Sequence, residues 1–473
     1  MGVKIDEINL AKLSEDYFFR ADYDYFEFNR EIKRYRTEPL KDLLTFLETG
    51  KPIVPDDYSD NSKNIHLVVK NISNGRLNDD NVIYITDEKA DELKKFRVQS
   101  GDFVIAISAN TGASMYFTNS PNYNITLSHY LARFRVDESR INPLFLNYYI
   151  NSTFMQKYFR STETGKTLKN LSKYYIKEMP VVIIDKVTQD RVVSNIEPIE
   201  KKIKNLQSLL TSPKEVINKI FAREFDFDLV TFKQLKKLKV FESSLVNFSN
   251  NQDLRNSVKF HWESGEFVMN ELSKTSKTRI KDFLSEPIVL GKGITPEDYD
   301  ESGSKYYVSM ATIKNWKFEE DSENSKTVSD EYFESNKANK AIKINDIIMA
   351  RSGKGTIGKV ALIDNKKAEG IFADFTMRIR FENYSAQFAY YYFQTDYFQH
   401  LLEMNWKGLG NNLNIFPTQV QELPLLDVEK NRQLDIVNEI KEEVNRQEEI
   451  KKEISVNQNK INKIIENAIF KSW

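Results

Sequence analysis

The chain contains no cysteine in its 473 residues, which excludes disulfides, cysteine-based zinc sites and thiol nucleophiles together. It has only four histidines, His66, His129, His261 and His400, and none lies at metal-ligand spacing from another, so no metal site is expected. No apolar run approaches the roughly 20 residues that cross a bilayer, and the charged start MGVKIDEINL lacks an apolar secretory segment. The expectation is a cytoplasmic protein without a membrane partner. Asp6 stands where a myristoylation signal needs Ser or Thr. An excess of one charge is missing too: 68 Lys and Arg against 69 Asp and Glu give no chain-wide basic footprint, so any nucleic-acid contact must come from local faces. What is present is apolar material, 40% of residues hydrophobic and 12% aromatic, ample for two domains at this length.

The chain is written twice, at an offset of roughly 240 residues. Gly50 to Tyr58 (GKPIVPDDY) returns as Gly291 to Tyr299 (GKGITPEDY), and Gly101 to Ser108 (GDFVIAIS) as Asn345 to Ser352 (NDIIMARS). Each looks like a turn entering a buried strand. Phe145, Tyr148, Tyr149, Met155, Tyr158 and Phe159 align with Phe388, Tyr391, Tyr392, Phe398, Leu401 and Leu402. Their helical spacing points to helix core; stacking on unpaired bases is the alternative reading. Arg20 to Phe26 loosely matches Arg255 to His261, and polar residues from Ser243 to Asn256 mark the boundary between the copies.

Each copy closes with a proline, Met179-Pro180 or Leu423-Pro424, and is followed by a heptad seam. The first seam runs Ile196, Ile199, Ile203, Leu206, Leu210. The second runs Val437, Ile440, Val444, Gln447, Lys451, Ile454, Gln458, Ile461, Ile465, with polar members that set register at some cost in stability. Pro198 can kink the first rod, and Ser212-Pro213-Lys214-Glu215 reads as a cap, an N1 proline and a capping-box Glu, so a break and restart are expected there. Two modules spaced by rods suit a ligand with two sites at fixed separation. DNA is one such ligand; a coiled-coil scaffold could share the layout.

The runs Asn345 to Ile363 (NDIIMARSGKGTIGKVALI), Lys407 to Ile415 (KGLGNNLNI) and Glu422 to Leu426 (ELPLL), followed by Gln433 opening a helix, closely resemble the specificity subunits of type I restriction-modification systems. The resemblance covers essentially the whole chain in two copies. It implies an α+β fold with two similar α/β target recognition domains in tandem, each followed by a long helix, the two helices packing as an antiparallel coiled coil. The corresponding boundaries are 1–180 and 225–424 for the recognition domains, and 181–224 and 425–473 for the helical regions. Each domain would read one half of a split target in double-stranded DNA, and the helices would dock two adenine methyltransferase subunits, joined by restriction/translocase subunits. The chain itself would then be non-catalytic, with S-adenosylmethionine, ATP and Mg on partner subunits only. The specificity subunit of another restriction class would look the same.

At residue level, Gly353 to Lys359 fits GxxxxGK, but a phosphate-binding loop also needs Ser or Thr after the Lys and a helix next, and Val360 to Ile363 reads as a strand. A glycine-rich strand connection is one reading. The functional reading places Arg351, Ser352, Lys354, Thr356 and Lys359 on phosphates or base edges, with Arg351 suited to guanine. Ser108, Asn110 and Thr111 occupy the matching stretch of the first copy and suit a different half-site. A second candidate surface is Lys166, Lys169, Asn170 and Lys173, matched by Lys407, Asn411, Asn412 and Asn414. Its lysines suit phosphate and its asparagines suit either tight turns or adenine. Asn142-Pro143-Leu144-Phe145 is the nearest approach to an adenine-methyltransferase motif, and Leu144 spoils it. Asp57 with Asp298, and Asp102 with Asp346, read as turn and cap residues.

Overall fold

The computed structural model describes residues 23–470 apart from 61, 74, 79–81, 166, 239, 245, 247–256, 321–322, 367 and 409. Lys166, Arg20 to Asp22, and most of the boundary at 243–256 therefore lie outside the described residues. The chain forms two compact units, one taking the residues up to Leu209 together with the stretch from Ile450, the other running Leu210–Glu449.

In the first unit, helix α1 (Tyr23–Ile32) precedes β1 (Thr37–Pro39), β2 (Leu44–Thr49), β3 (Asn64–Leu67), β4 (Ile72–Ser73), β5 (Arg76–Leu77) and β6 (Ile83–Tyr84). Helix α2 (Asp87–Glu92), β7 (Phe103–Ala106), β8 (Ser114–Tyr116), β9 (Asn124–Leu127) and β10 (Leu131–Val136) follow. Then come α3 (Pro143–Asn151), α4 (Thr153–Thr162), α5 (Lys173–Lys177), β11 (Pro180–Val182) and α6 (Lys186–Ser208). The strands make an antiparallel sheet β2-β10-β7-β8 and a small sheet β6-β3-β9 in which β3 and β9 are parallel.

The second unit opens with α7 (Pro213–Glu224), α8 (Leu229–Leu235) and α9 (Glu263–Thr275), then β12 (Val289–Leu290), β13 (Lys305–Val308), β14 (Ile313–Lys314), β15 (Lys317–Phe318) and β16 (Thr327–Val328). It continues through α10 (Asp330–Lys340), β17 (Ile347–Ala350), β18 (Val360–Leu362), β19 (Gly370–Phe372), β20 (Thr376–Ile379), α11 (Ala386–Tyr392), α12 (Asp396–Asn405) and α13 (Pro417–Val420). Its sheets, β12-β20-β17-β18 and β16-β13-β19 with β13 parallel to β19, have the strand order of the first unit. The fold is α+β.

The central strands explain the layering. β7 reads FVIA and β17 reads IIMA, buried throughout, as strands covered on both faces should be. Alternate residues serve different cores: Phe103 and Ile105 join Phe145, Tyr149, Met155 and Phe159 of the helices, while Val104 and Ala106 join Ile65, Leu67, Ile125 and Leu127 of the small sheet. In the second unit Ile347 and Met349 join Phe388, Tyr392, Phe398 and Leu402, and Ile348 joins Val308 and Phe372. The repeated aromatics are helix core, with Tyr148 and Tyr391 only partly buried at its edge. Ser152 and Thr395 cap α4 and α12 through their side-chain oxygens. Asn142-Pro143 is a cap followed by an N1 proline, as Asn142 Oδ1 accepts from the Leu144 and Phe145 amides.

Helix α14 (Lys430–Phe470) gives its first part to the second unit and its last part to the first. Within the first unit Lys202 pairs with Glu453 at 2.6 Å, whereas Asp185, Arg191 and Asn195 border one cleft with Ile464 and Asn467; the two stretches run in opposite directions. Within the second, Arg223 meets Glu439 at 2.6 Å and the Thr211 amide donates to Gln447 Oε1 at 2.8 Å, again antiparallel. α6 runs through Pro198 and ends at Ser208. α7 restarts at Pro213, where Ser212 Oγ accepts from the Glu215 amide at 3.2 Å. Ile196, Ile203, Val437, Ile440, Ile454 and Ile465 are buried; Ile199, Leu206, Leu210, Val444 and Ile461 are half-buried. Lys451 departs from the expected seam: it is exposed, Ile450 is buried instead, and Asn457 replaces half-buried Gln458. A helix of 3.6 residues per turn can continue a seam by three or four, and taking three from Gln447 buries an isoleucine in place of a lysine.

Candidate nucleic-acid interface

Three segments converge in each unit, joined by the same backbone hydrogen bonds. They are the loop leaving β7 or β17, the loop after α4 or α12, and the turn from β9 to β10 or β19 to β20. Ile107 N–H donates to the Tyr130 carbonyl and Arg351 N–H to that of Phe375, each at 3.0 Å. The Ile107 and Arg351 carbonyls accept from Leu171 and Ile415 at 2.9 Å. Ala109 N–H reaches Lys169 O at 2.8 Å, and Gly353 N–H reaches Leu413 O at 3.1 Å. Thr164 with Asn170, and Lys407 with Asn414, close their loops by reciprocal 2.8 Å bonds. The first loops end alike: Gly112 and Gly358, both at φ +84°, donate to Ala106 O and Ala350 O, a backbone region that side chains with a Cβ rarely enter.

The scaffold repeats, but the side chains on it differ. In the first unit Ser108 is buried and donates to Asn170 Oδ1 at 2.8 Å, and Asn170 Nδ2 donates to Leu168 O at 3.2 Å. Thr111 is buried and donates to Glu163 Oε2 at 2.6 Å, and that carboxylate also pairs with Lys169 at 3.3 Å. Asn110 and Lys173 are exposed. In the second unit Asn414 Nδ2 donates to Asn412 O at 3.2 Å, as Asn170 does in its loop, and its Oδ1 accepts from Arg351 Nη1 at 3.5 Å. Arg351 Nε donates to Asp374 O at 2.9 Å. Thr356 Oγ1 turns back onto Ser352 O at 2.7 Å. Lys354, Lys407, Asn411 and Asn412 are exposed, and Ser352 and Lys359 half-buried. Ser108, Thr111, Thr356, Asn170 and Asn414 thus shape the loops from within, leaving Asn110, Lys173, Lys354, Asn411 and Asn412 outermost.

Sequence reasoning missed the third segment. His129 and Tyr130 occupy the turn of the first unit, their ring centroids 3.9 Å apart, and Asp374 and Phe375 occupy that of the second. The signal was readable, since Leu127 to Leu131 (LSHYL) aligns with Phe372 to Thr376 (FADFT), with an aromatic at the same place between apolar strands.

The repeated carboxylates are structural. Asp57 Oδ2 accepts from the Val54 amide at 2.8 Å, and Asp298 Oδ2 from Thr295 Oγ1 at 2.8 Å. Asp102 and Asp346 are fully buried caps that accept from the Gln99 and Lys343 amides at 2.8 and 2.7 Å. They also have partners the sequence did not reveal: Arg135 Nε and Arg380 Nε lie 2.6 Å from their other oxygens. Ser264 Oγ, His400 Nε2 and Glu403 form a triad-like row, the first two 2.8 Å apart. His400, whose Nδ1 lies 3.9 Å from Glu403, and Lys259 at 2.9 Å hold the Glu403 carboxyl below the usual range against the opposing effect of its burial. Ser264 and His400 are both buried and Trp262 stacks on the imidazole, so no substrate carbonyl can reach the hydroxyl. The GxxxxGK run is followed by strand β18, not by a helix that could aim amides at phosphate. Among the described residues no cluster of three or more His, Asp or Glu could hold a metal, and no helix is long and apolar enough to cross a membrane.

No protein-family model matches the chain, and no curated protein does. Among solved structures it is similar to the S subunit of a type I restriction-modification system from M. genitalium, with 13% identity, 92% of this chain and 96% of that one covered, and a TM-score of 0.41. It is also similar to a chain from a structure concerned with complex assembly and conformational transition of the type I R-M system, with 10% identity, 92% and 97% covered, and a TM-score of 0.47. The HsdS subunit from Thermoanaerobacter tengcongensis matches at 12% identity over 93% and 97%, with a TM-score of 0.32. Likeness at this level assigns no role to any residue.

Proposed function

We propose that the chain is the non-catalytic DNA-recognition subunit of a type I restriction-modification complex. Each unit reads one half of a split, asymmetric target, and the antiparallel helices act as a coiled-coil spacer that docks two adenine methyltransferase subunits, with restriction/translocase subunits joining that core. S-adenosylmethionine, ATP and Mg then belong to the partners. The observation that carries this reading is the convergence of three loops, built twice by the same hydrogen bonds and finished with different exposed side chains. A duplicated scaffold with divergent loop tips is what two different half-sites require, because backbone-defined loops position while side chains specify. The second unit presents Arg351, Lys354 and Lys359; the first presents Ile107, Asn110 and a Lys169 already paired with Glu163.

The test is the adenine-methylation pattern of the host genome with and without the gene. Loss of methylation at one two-part motif is the expected result. An unchanged pattern while the partner methyltransferase is expressed and active would refute the reading.

A further inference from the structure

Two exposed rings remain unexplained by loop construction. Phe375 is 48% exposed and Tyr130 is 42% exposed. A single exposed apolar residue needs no explanation, but here an aromatic occupies the same turn position in both units, hydrogen-bonded through its carbonyl to the residue that opens the neighbouring loop.

In the second unit that ring has a defined companion. The Arg351 guanidinium lies 5.8 Å from the Phe375 centroid, within cation–π range. Its Nε is anchored on Asp374 O and its Nη1 on Asn414 Oδ1. Of the five N–H donors of a guanidinium, the Nη2 pair and one Nη1 hydrogen keep no partner among the described residues. The side chain is therefore held in place by two anchors with its outer edge available. In the major groove such an edge takes guanine O6 and N7, while an apolar group packs on the C5-methyl of thymine. Neighbouring bases are stacked about 3.4 Å apart, so a guanidinium and a ring 5.8 Å apart can reach neighbouring base pairs.

Resting on the recognition role above, we infer that Arg351 and Phe375 act as one reader of a guanine and an adjoining thymine, with Phe375 packed on the thymine methyl. The first unit has Ile107 in place of Arg351 and His129-Tyr130 at the turn, so it does not carry this pair and its half-site obeys a different rule.

The experiment replaces each thymine of the target duplex, one at a time, with deoxyuridine, which keeps every Watson–Crick hydrogen bond and removes only the methyl. Binding is measured with the full chain assembled with its methyltransferase. One thymine beside a guanine should prove sensitive, weakening wild-type binding by about fourfold, the worth of one buried methyl. Phe375→Ala should abolish the difference between thymine and uracil at that position, Phe375→Leu should keep part of it, and Tyr130→Ala should leave it intact. The inference fails if the target has no guanine–thymine neighbours, if no thymine beside a guanine is sensitive, or if the uracil effect persists in Phe375→Ala. A complex that shows no sequence preference at all refutes the recognition role instead, so the two failures are distinguishable.

Discussion

Removing the charges of Lys354 and Lys359 should change how DNA binding responds to salt while leaving the bound sequence unchanged. Lys354 stands exposed on the loop leaving β17 and Lys359 is half-buried where β18 begins. A lysine on a phosphate releases condensed counterions, and each such contact steepens the slope of log K against log salt by about 0.9. The Lys354→Ala, Lys359→Ala double variant should thus lose about 1.8 from the slope. Between 50 and 200 mM salt, the gap in affinity between wild type and variant should then shrink by roughly twelvefold. Lys169→Ala in the first unit is the internal control: its amine already sits 3.3 Å from Glu163, so its slope change should fall below 0.9. The assay is fluorescence anisotropy on a labelled target duplex, titrated with the methyltransferase-bound chain across a salt series. Phosphate contacts carry no sequence information, so the methylated motif should not change. Parallel salt plots for wild type and double variant would refute the placement of this loop against the DNA backbone.

Ala at Gly112 or Gly358 meets the same left-handed backbone, costing roughly 1–2 kcal/mol. At Gly112, however, the new Cβ falls 2.3 Å from the buried Phe159 ring, whereas at Gly358 it meets the ends of Gln399 and Leu402 at 2.9 Å. Gly112→Ala should therefore be the more destabilising by about 1–3 kcal/mol in urea unfolding, and equal losses would contradict the packing described. Asp346→Asn removes a buried carboxylate from Arg380, which keeps Glu286 at 2.9 Å, and should cost about 1–3 kcal/mol; a loss below about 0.5 kcal/mol would contradict the pairing described. His66 is pushed down to about 4, by burial first and by the neighbouring His129 second, with Asp57 opposing and Lys89 adding slightly. Below its ordinary value of 6.5 the unfolded chain takes up a proton that the folded chain refuses until about pH 4. Stability from this site is thus full above pH 6.5 and is lost as pH falls through that window. Between pH 7 and pH 5, His66→Gln should spare the protein about 2 kcal/mol of the decline seen in wild type; identical declines would place the histidine in water.

What was legible in the sequence was whatever leaves a period or a copy. The buried strands FVIA and IIMA, the helical aromatics and the cap at Ser212 all announce themselves by spacing or residue type. The seam was legible except where helical geometry allows two continuations, and there Ile450 displaced Lys451. Pairings between distant segments were not legible, because nothing local marks them. Arg135 on Asp102 and Arg380 on Asp346 join a strand or the residue that follows one to a turn more than 30 residues away, and Asn414 reaches Arg351 across 63 positions.

The glutamines at the helix starts show what such distant bonds do for the site. Gln189 Oε1 accepts from the Asn142 amide at 2.7 Å and its Nε2 donates to Ile184 O at 2.7 Å; Gln433 does the same with Ser385 N–H at 2.8 Å and Val428 O at 2.6 Å. Both glutamines are buried, and each bond gives a partner to a backbone group, that of Ile184 buried and those of Asn142, Ser385 and Val428 half-buried, where an unpaired buried group costs about 1–3 kcal/mol. Each unit therefore fastens a long helix to the first turn of α3 or α11, and through the helices that follow to the loops at Asn170 and Asn414. None of those fastening bonds involves Asn110, Lys354, Asn411 or Asn412, which stay exposed. Substitutions at these tips leave the scaffold's hydrogen bonds intact, so the surface facing a ligand can diverge between the two copies while the frame that positions it does not.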